Sequence, residues 1–178
     1  MKAVFLGQQP FNAIDESSFS ELHKLSKESP NGVARYCLHA SPDDAVQEMV
    51  IYMQANACTL PHRQRGKRKS YIVLRGDLCV LFFDDKGSVA SKEVVTPAGE
   101  AGPTLLSFDS SSLHTTVCLG DDVIYVETIT GPFEPDKTEW AHWITSKDNA
   151  AEVRRYLALL EAQDPRIAEN WRSRPAIL

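Results

Sequence analysis

Pro61-His62-Arg63-Gln64-Arg65-Gly66-Lys67-Arg68-Lys69-Ser70-Tyr71-Ile72-Val73-Leu74-Arg75-Gly76 is the stretch on which the reading of this chain turns. It holds a His, a Gln two residues later, and an alternating β run closed by Gly. A second stretch, Phe108-Asp109-Ser110-Ser111-Ser112-Leu113-His114, places a lone His at the head of a later β segment. Together the two stretches form a pattern that can bring several donor side chains together inside a β-barrel.

The flanking sequence agrees with that class. Short β segments are expected at Arg35–His39, Val46–Ala55, Ser70–Leu74, Asp77–Phe83, Ser88–Val95, Leu105–Phe108, His114–Leu119 and Val123–Thr130. Turn residues separate them: Gly76, Asp84-Asp85-Lys86-Gly87, the Gly/Pro loop 97–103, and Gly120-Asp121-Asp122. Such spacing indicates an all-β sandwich or small barrel. Val46–Ala55 is apolar on both faces, Met49/Ile51/Met53 and Val50/Tyr52, and is expected inside a sandwich. Residues 15–29 predict a helix with Ser18 and Glu21 as its capping box and Phe19, Leu22 and Leu25 on one side. A second helix is expected near the end, where Asn149/Glu152 have capping spacing and Val153, Tyr156, Leu157 and Leu160 form a stripe. The organisation is therefore an N-terminal helical segment, 1–32, a β-barrel, 33–135, and a C-terminal helical tail, 136–178.

Composition bounds the function. A chain of 178 residues, 43% hydrophobic and 24% charged, fits one soluble domain with a real core. The net charge of −5 argues against a nucleic-acid binder, yet residues 61–76 carry six basic residues and no acid. A local basic patch on an acidic chain suggests a specific small anion, although a solvated basic loop has the same signature. Cys37, Cys58, Cys79 and Cys118 form no CxxC pair and read as reduced thiols. No apolar run approaches a membrane span, and the first residues do not read as a signal peptide, so a cytoplasmic location is expected. The stripe of the final helix, with Trp140, Trp143 and Trp171 nearby, predicts self-association as a homodimer, packing on the barrel being the competing explanation.

The two stretches resemble the conserved motifs of the cupin superfamily, small jelly-roll barrels that usually hold one metal on three His and one Glu. Against that pattern His62 matches the first His and Gly76 the closing Gly, but Gln64 replaces the second His and Lys69 the Glu. In the second motif His114 matches, while Asp109 and Ser111 replace the usual Pro and Gly. Arg35–His39, Ala45-Val46-Gln47-Glu48-Met49, Val126-Glu127 and Gly131-Pro132-Phe133 extend the likeness to the WbuC-type cupin fold metalloproteins over roughly residues 33–135. That family is associated with bacterial surface-polysaccharide gene clusters.

The resemblance implies a divalent transition metal (Zn, Ni, Fe or Mn) on His62, Gln64 and His114, and the substitutions weaken it. Gln64 offers only a neutral carbonyl. Lys69 brings a cation, and two unit charges about 4 Å apart repel by roughly 4 kcal/mol at an effective dielectric of 20. Glu127 would complete a two-His-one-carboxylate set if it faces inward. Alternation puts Tyr71 and Val73 on the face of Lys69, and Thr116 and Cys118 on that of His114. His62, His114 and Tyr71 are the catalytic candidates, packing being the alternative for Tyr71. Arg35, His39, Arg63, Arg65 and Lys69 are the ligand-binding candidates.

Three readings stay open. The first is a binding protein for a small anionic sugar or sugar nucleotide, extended to an isomerase or epimerase if a histidine serves as general base. The second is a metal-dependent cupin enzyme, a dioxygenase or isomerase. The third is a non-catalytic cupin whose metal motif has degenerated.

Overall fold

Two long strands, bent together, shape the barrel. The computed structural model describes residues 1–7, 10–55 and 57–144, with Ala158 and Ala162 beyond them. β5 (Arg68–Phe83) and β8 (Leu113–Thr130) pair antiparallel from Lys69↔Ile129 to Phe83↔Leu113. The ladder loses register between Val73 and Asp77, where Gly76 takes φ +72°, and Gly120 on the partner strand takes φ +93°. A Cβ on Gly76 would stand 2.1 Å from the Asp122 carbonyl oxygen. The turns expected at Gly76 and at Gly120-Asp121-Asp122 are therefore bends within continuous strands. A Gly-Asp step reads alike in a hairpin turn and in a bulge, and here the irregularity curls the sheet instead of ending a strand.

The remaining strands close around this pair. β1 (Lys2–Phe5), β2 (Val33–Cys37), β3 (Val46–Gln54), β8, β4 (His62–Gln64) and β9 (Thr138–Trp140) follow one another across the sheet. β5 adds β6 (Val89–Val95) and β7 (Leu105–Asp109), each antiparallel to it. The protein is predominantly β, one curled sheet with an N-terminal helix. β1 was not expected from the sequence. It runs parallel to β2 and all four of its residues are exposed, so it carries no apolar alternation. β9 is the second addition. It lies within the segment read as a helical tail, yet it extends the sheet beyond β4.

The first helix, α1, runs Glu16–Lys27 and is capped one turn earlier than its spacing suggested. Asp15 is the N-cap, its carboxylate accepting from the Ser17 and Ser18 amides, and Ser18 closes the box from the third helical position. The helix covers one face of β2 and β3: Leu22 packs with Ala34, Tyr36, Val50, Tyr52 and Ile124. The other face of β3, Met49, Ile51 and Met53, lines the barrel interior with Tyr71, Val73, Val80, Cys118 and Tyr125. Both faces of β3 are thus covered, as its apolar run suggested. All four cysteines are free thiols. Among the described residues no helix is long and apolar enough to cross a membrane. The expected C-terminal helix from Asn149, with Val153, Tyr156, Leu157 and Leu160, and Trp171, lies outside the described residues.

Candidate functional site: an ammonium among two histidines and a glutamate

β4 pairs with β8 through a single register position, His62 opposite His114, and the two imidazole centroids lie 4.7 Å apart. Each ring is fixed by its own backbone: His62 Nδ1 is 2.9 Å from the Leu60 carbonyl, and His114 Nδ1 is 2.8 Å from the Ser112 carbonyl. A carbonyl only accepts, so both Nδ1 atoms carry the proton and donate it. Both Nε2 atoms then present a lone pair inward, the orientation in which imidazoles commonly bind metals.

What the lone pairs face is Lys69. Its Nζ stands 3.3 Å from His114 Nε2, 3.5 Å from His62 Nε2 and 3.2 Å from Glu127 Oε1. Lys69 reaches this position because it lies on the inner face of β5, while Glu127 points inward from β8, in register with Tyr71. The lysine is 3% exposed and His114 is fully buried. An ammonium has three donors and no acceptor, and three acceptors surround this one. The separations are long for hydrogen bonds, so the attraction is mainly charge–charge with Glu127 and charge–dipole with the imidazoles. Tyr71 adds its ring face, its centroid 5.9 Å from the ammonium.

Burial and the ammonium act in the same direction on the histidines. Burial first, and the Lys69 charge second, hold His62 down at about 4, against an ordinary value of 6.5. His114 is held well below its ordinary value by burial, by Lys69 and by His62. Both rings are neutral at pH 7. Tyr71 is pushed in the opposite direction, its phenol raised well above the ordinary range by burial and by the Glu127 charge. It packs edge-on against Tyr125 and tilted against Phe108, as a wall of the site.

A divalent ion does not fit this arrangement. The point equidistant from the donors is taken by a cation, and among the described residues no three His, Cys, Asp or Glu side chains gather closely enough to hold a metal. Gln64, the expected third ligand, is buried with its amide Nε2 3.4 Å from Thr138 Oγ1 on β9.

The expected binding residues divide. Arg35 faces the interior from β2, its Nη1 3.4 Å from Met49 Sδ and its Nε buried without a hydrogen-bond partner. His39 lies beyond the end of β2, its Nδ1 on the Glu48 backbone and its ring edge-on to Phe5. It is not one of the groups around Lys69. The basic loop is largely committed to ion pairs. Arg63 Nε and Arg65 Nε meet the two oxygens of Glu139 at 2.8 and 2.7 Å, and Arg63 Nη1 reaches Asp85 at 3.2 Å. Lys67 is buried against the Pro132 carbonyl and Glu134.

One open groove adjoins the centre. It has a volume of about 480 Å³ and is lined by Arg63, Asp85, Leu113, Glu139, Trp140 and His142, with Ala141 between the last two. The Trp140 ring, 43% exposed, packs on His62 with centroids 5.4 Å apart, so a single histidine separates the groove from the ammonium. Glu139, Trp140 and His142 were not singled out from the sequence as binding residues. They lie on β9 and just after it, within a segment read as helical.

Comparisons with known proteins find distant likenesses only. A family model described as a domain of unknown function (DUF6016) matches residues 14–95, less than half of the chain. Curated protein sequences returned no match. Among solved structures, the capsular polysaccharide assembling protein CapF from Staphylococcus aureus is 17% identical with a TM-score of 0.49, over 61% of this chain and 29% of its own. KdgF from Halomonas sp. is 17% identical with a TM-score of 0.46, over 61% of this chain and 84% of its own. Protein SO0799 from Shewanella oneidensis is 10% identical with a TM-score of 0.49, over 75% and 78%. The chain spans less than a third of the length of CapF, and at these identities the likeness says nothing of activity.

Proposed function

We propose that this chain is a small-molecule-binding protein of the cupin superfamily that works without a metal and takes a small anionic ligand of the sugar-acid or sugar-phosphate class. The WbuC-type affinity read from residues 33–135, and the surface-polysaccharide setting it implies, belong to the same proposal. The observation that carries it is the groove of about 480 Å³ beside His62, a volume within the range of small-ligand sites. Trp140 supplies a flat apolar face for a sugar ring, and Asp85, Glu139 and His142 supply groups for hydroxyls. The Arg63 guanidinium has five N–H donors, of which Glu139 and Asp85 engage one each. The others suit a carboxylate or phosphate oxygen.

Binding, not turnover, is the function the geometry favours. A general base needs a free lone pair within reach of the ligand's proton. The Nε2 lone pairs of His62 and His114 both face the Lys69 ammonium. Neither is aimed at the groove, and the Tyr71 phenol is buried and hard to ionise.

A melting-temperature screen tests the proposal, with uronates, sugar phosphates and neutral monosaccharides at low and high salt. Ligand at a hundred times its dissociation constant stabilises the fold by about 2.7 kcal/mol. The acids are expected to raise the melting temperature, less so at high salt, with Trp140→Ala and Arg63→Ala each removing most of the shift. Shifts from neutral sugars alone, or shifts untouched by both substitutions, would overturn it.

A further inference from the structure

The centre around Lys69 has the parts of a metal site arranged around an organic cation. Two imidazoles are locked by backbone carbonyls with their Nε2 atoms pointing inward. A carboxylate, Glu127, arrives from the same long strand as His114. The three groups surround one point, and the Lys69 Nζ is at that point. The charge also matches: one ammonium and one carboxylate cancel, and the two imidazoles stay neutral, so a buried centre needs no further counter-ion.

We infer that Lys69 is a resident cation that replaces a divalent ion at the centre of this barrel, and that trimming its side chain exposes a two-His-one-carboxylate site for a divalent transition metal on His62, His114 and Glu127. The ammonium performs the organising task of an ion. It gathers donors from β4 and β8 and neutralises Glu127, while its own strand, β5, supplies the tether. Unlike an ion it cannot leave, and it has no open coordination position to offer a ligand. Gln64 adds no donor to the centre: its amide nitrogen lies 3.4 Å from Thr138 Oγ1.

The distances set what the exposed site can do. The donors stand 3.2–3.5 Å from Nζ, whereas a transition metal draws imidazole nitrogen to about 2.0–2.1 Å. The imidazole nitrogens must therefore move inward by about 1.2–1.5 Å and the Glu127 oxygen by about 1.1 Å. His62 and His114 sit on adjacent strands and Glu127 is on a flexible stem, so the contraction falls on side chains. Tyr71 and Phe108 bound the space from the other side. The gain in affinity is expected to be definite but smaller than in a preformed site.

The experiment titrates cobalt(II) into the full-length wild type and Lys69→Ala, following the visible absorption of the bound ion. Lys69→Ala is expected to take one cobalt per chain at least about tenfold more tightly than wild type, and adding His114→Ala should cancel the gain. Equal binding by wild type and variant, or a gain that survives His114→Ala, overturns the inference. If Lys69→Ala does not fold without metal, cobalt is expected to restore its β circular dichroism, because binding and folding are then linked. Failure to restore it counts against the inference. Amine acylation of the wild type supplies a reading that needs no variant. Lys69 should be modified at least about tenfold more slowly than the exposed Lys24 and Lys86. Equal rates would mean the ammonium is not enclosed. Neither measurement involves the groove, so failure here leaves the ligand proposal standing, and the reverse.

Discussion

Replacing Lys69 with Met keeps much of the side chain's length and removes its charge, which leaves the Glu127 carboxylate without its partner. The pair is separated by 3.2 Å, and two unit charges at that distance attract by about 5 kcal/mol at an effective dielectric of 20. Removing one member of a buried pair typically costs about 3–5 kcal/mol, because the other charge stays buried. The Glu127 side chain is 15% exposed, so some water reaches it, and the lower end of that range, about 3 kcal/mol, is expected. Glu127→Gln should cost a similar amount by stranding the ammonium. The double variant, Lys69→Met with Glu127→Gln, should cost less than the two singles together by about 2–3 kcal/mol, since no charge is then left unpaired. Urea denaturation at pH 7 with unchanged slope reads all three. Strictly additive losses, or a Lys69→Met variant as stable as wild type, would refute the idea that this ammonium and this carboxylate form one unit.

Acid should weaken the fold earlier than its carboxylates alone would. His62 is depressed to about 4, so below pH 6.5 the unfolded chain takes up a proton that the folded chain refuses. Stability is full above about 6.5 and is lost as the pH falls toward 4, by roughly 3 kcal/mol for this one residue. His114 adds to the loss in the same direction. Denaturation midpoints from pH 7.5 to 4.5 check this: the decline should be shallower in His62→Gln, and a flat profile between pH 7 and 5 would contradict it. Gly76→Ala tests the shared bend. The φ of +72° and the 2.1 Å approach of a Cβ to the Asp122 oxygen should cost about 2 kcal/mol or more, read by the same denaturation. A neutral effect would mean the bend does not hold β5 and β8 together there.

The parts that were legible in the sequence were those carried by local pattern. His62, Lys69, Gly76 and His114 stand at motif spacings, and alternation alone puts Lys69, Tyr71 and Val73 on one face, where the structure has them. The charge of Lys69 was legible too, but its effect depends on where the ammonium ends. As a point charge beside a metal it only repels; among two lone pairs and a carboxylate it completes the site. Glu127 is 58 residues from Lys69, and no local rule fixes whether it faces inward. The ion pairs of Arg63 and Arg65 with Glu139 span more than 70 residues, so the sequence did not show that part of the basic run is paired with acids. Gly76 and Gly120 looked like turns because a glycine with positive φ is needed equally for a turn and for a bulge. β1 could not be seen because Ala3-Val4-Phe5-Leu6 is a short apolar run without alternation, which does not separate a strand from other structure.

The metal content of the wild-type protein, purified without added metal or chelator and measured by inductively coupled plasma mass spectrometry, tests the central claim most directly. With Lys69 at the centre, every transition metal should be far below one equivalent per chain, and a chelator should leave the melting temperature unchanged. One tightly held equivalent that is lost with His62→Ala or His114→Ala would contradict an ammonium-centred barrel.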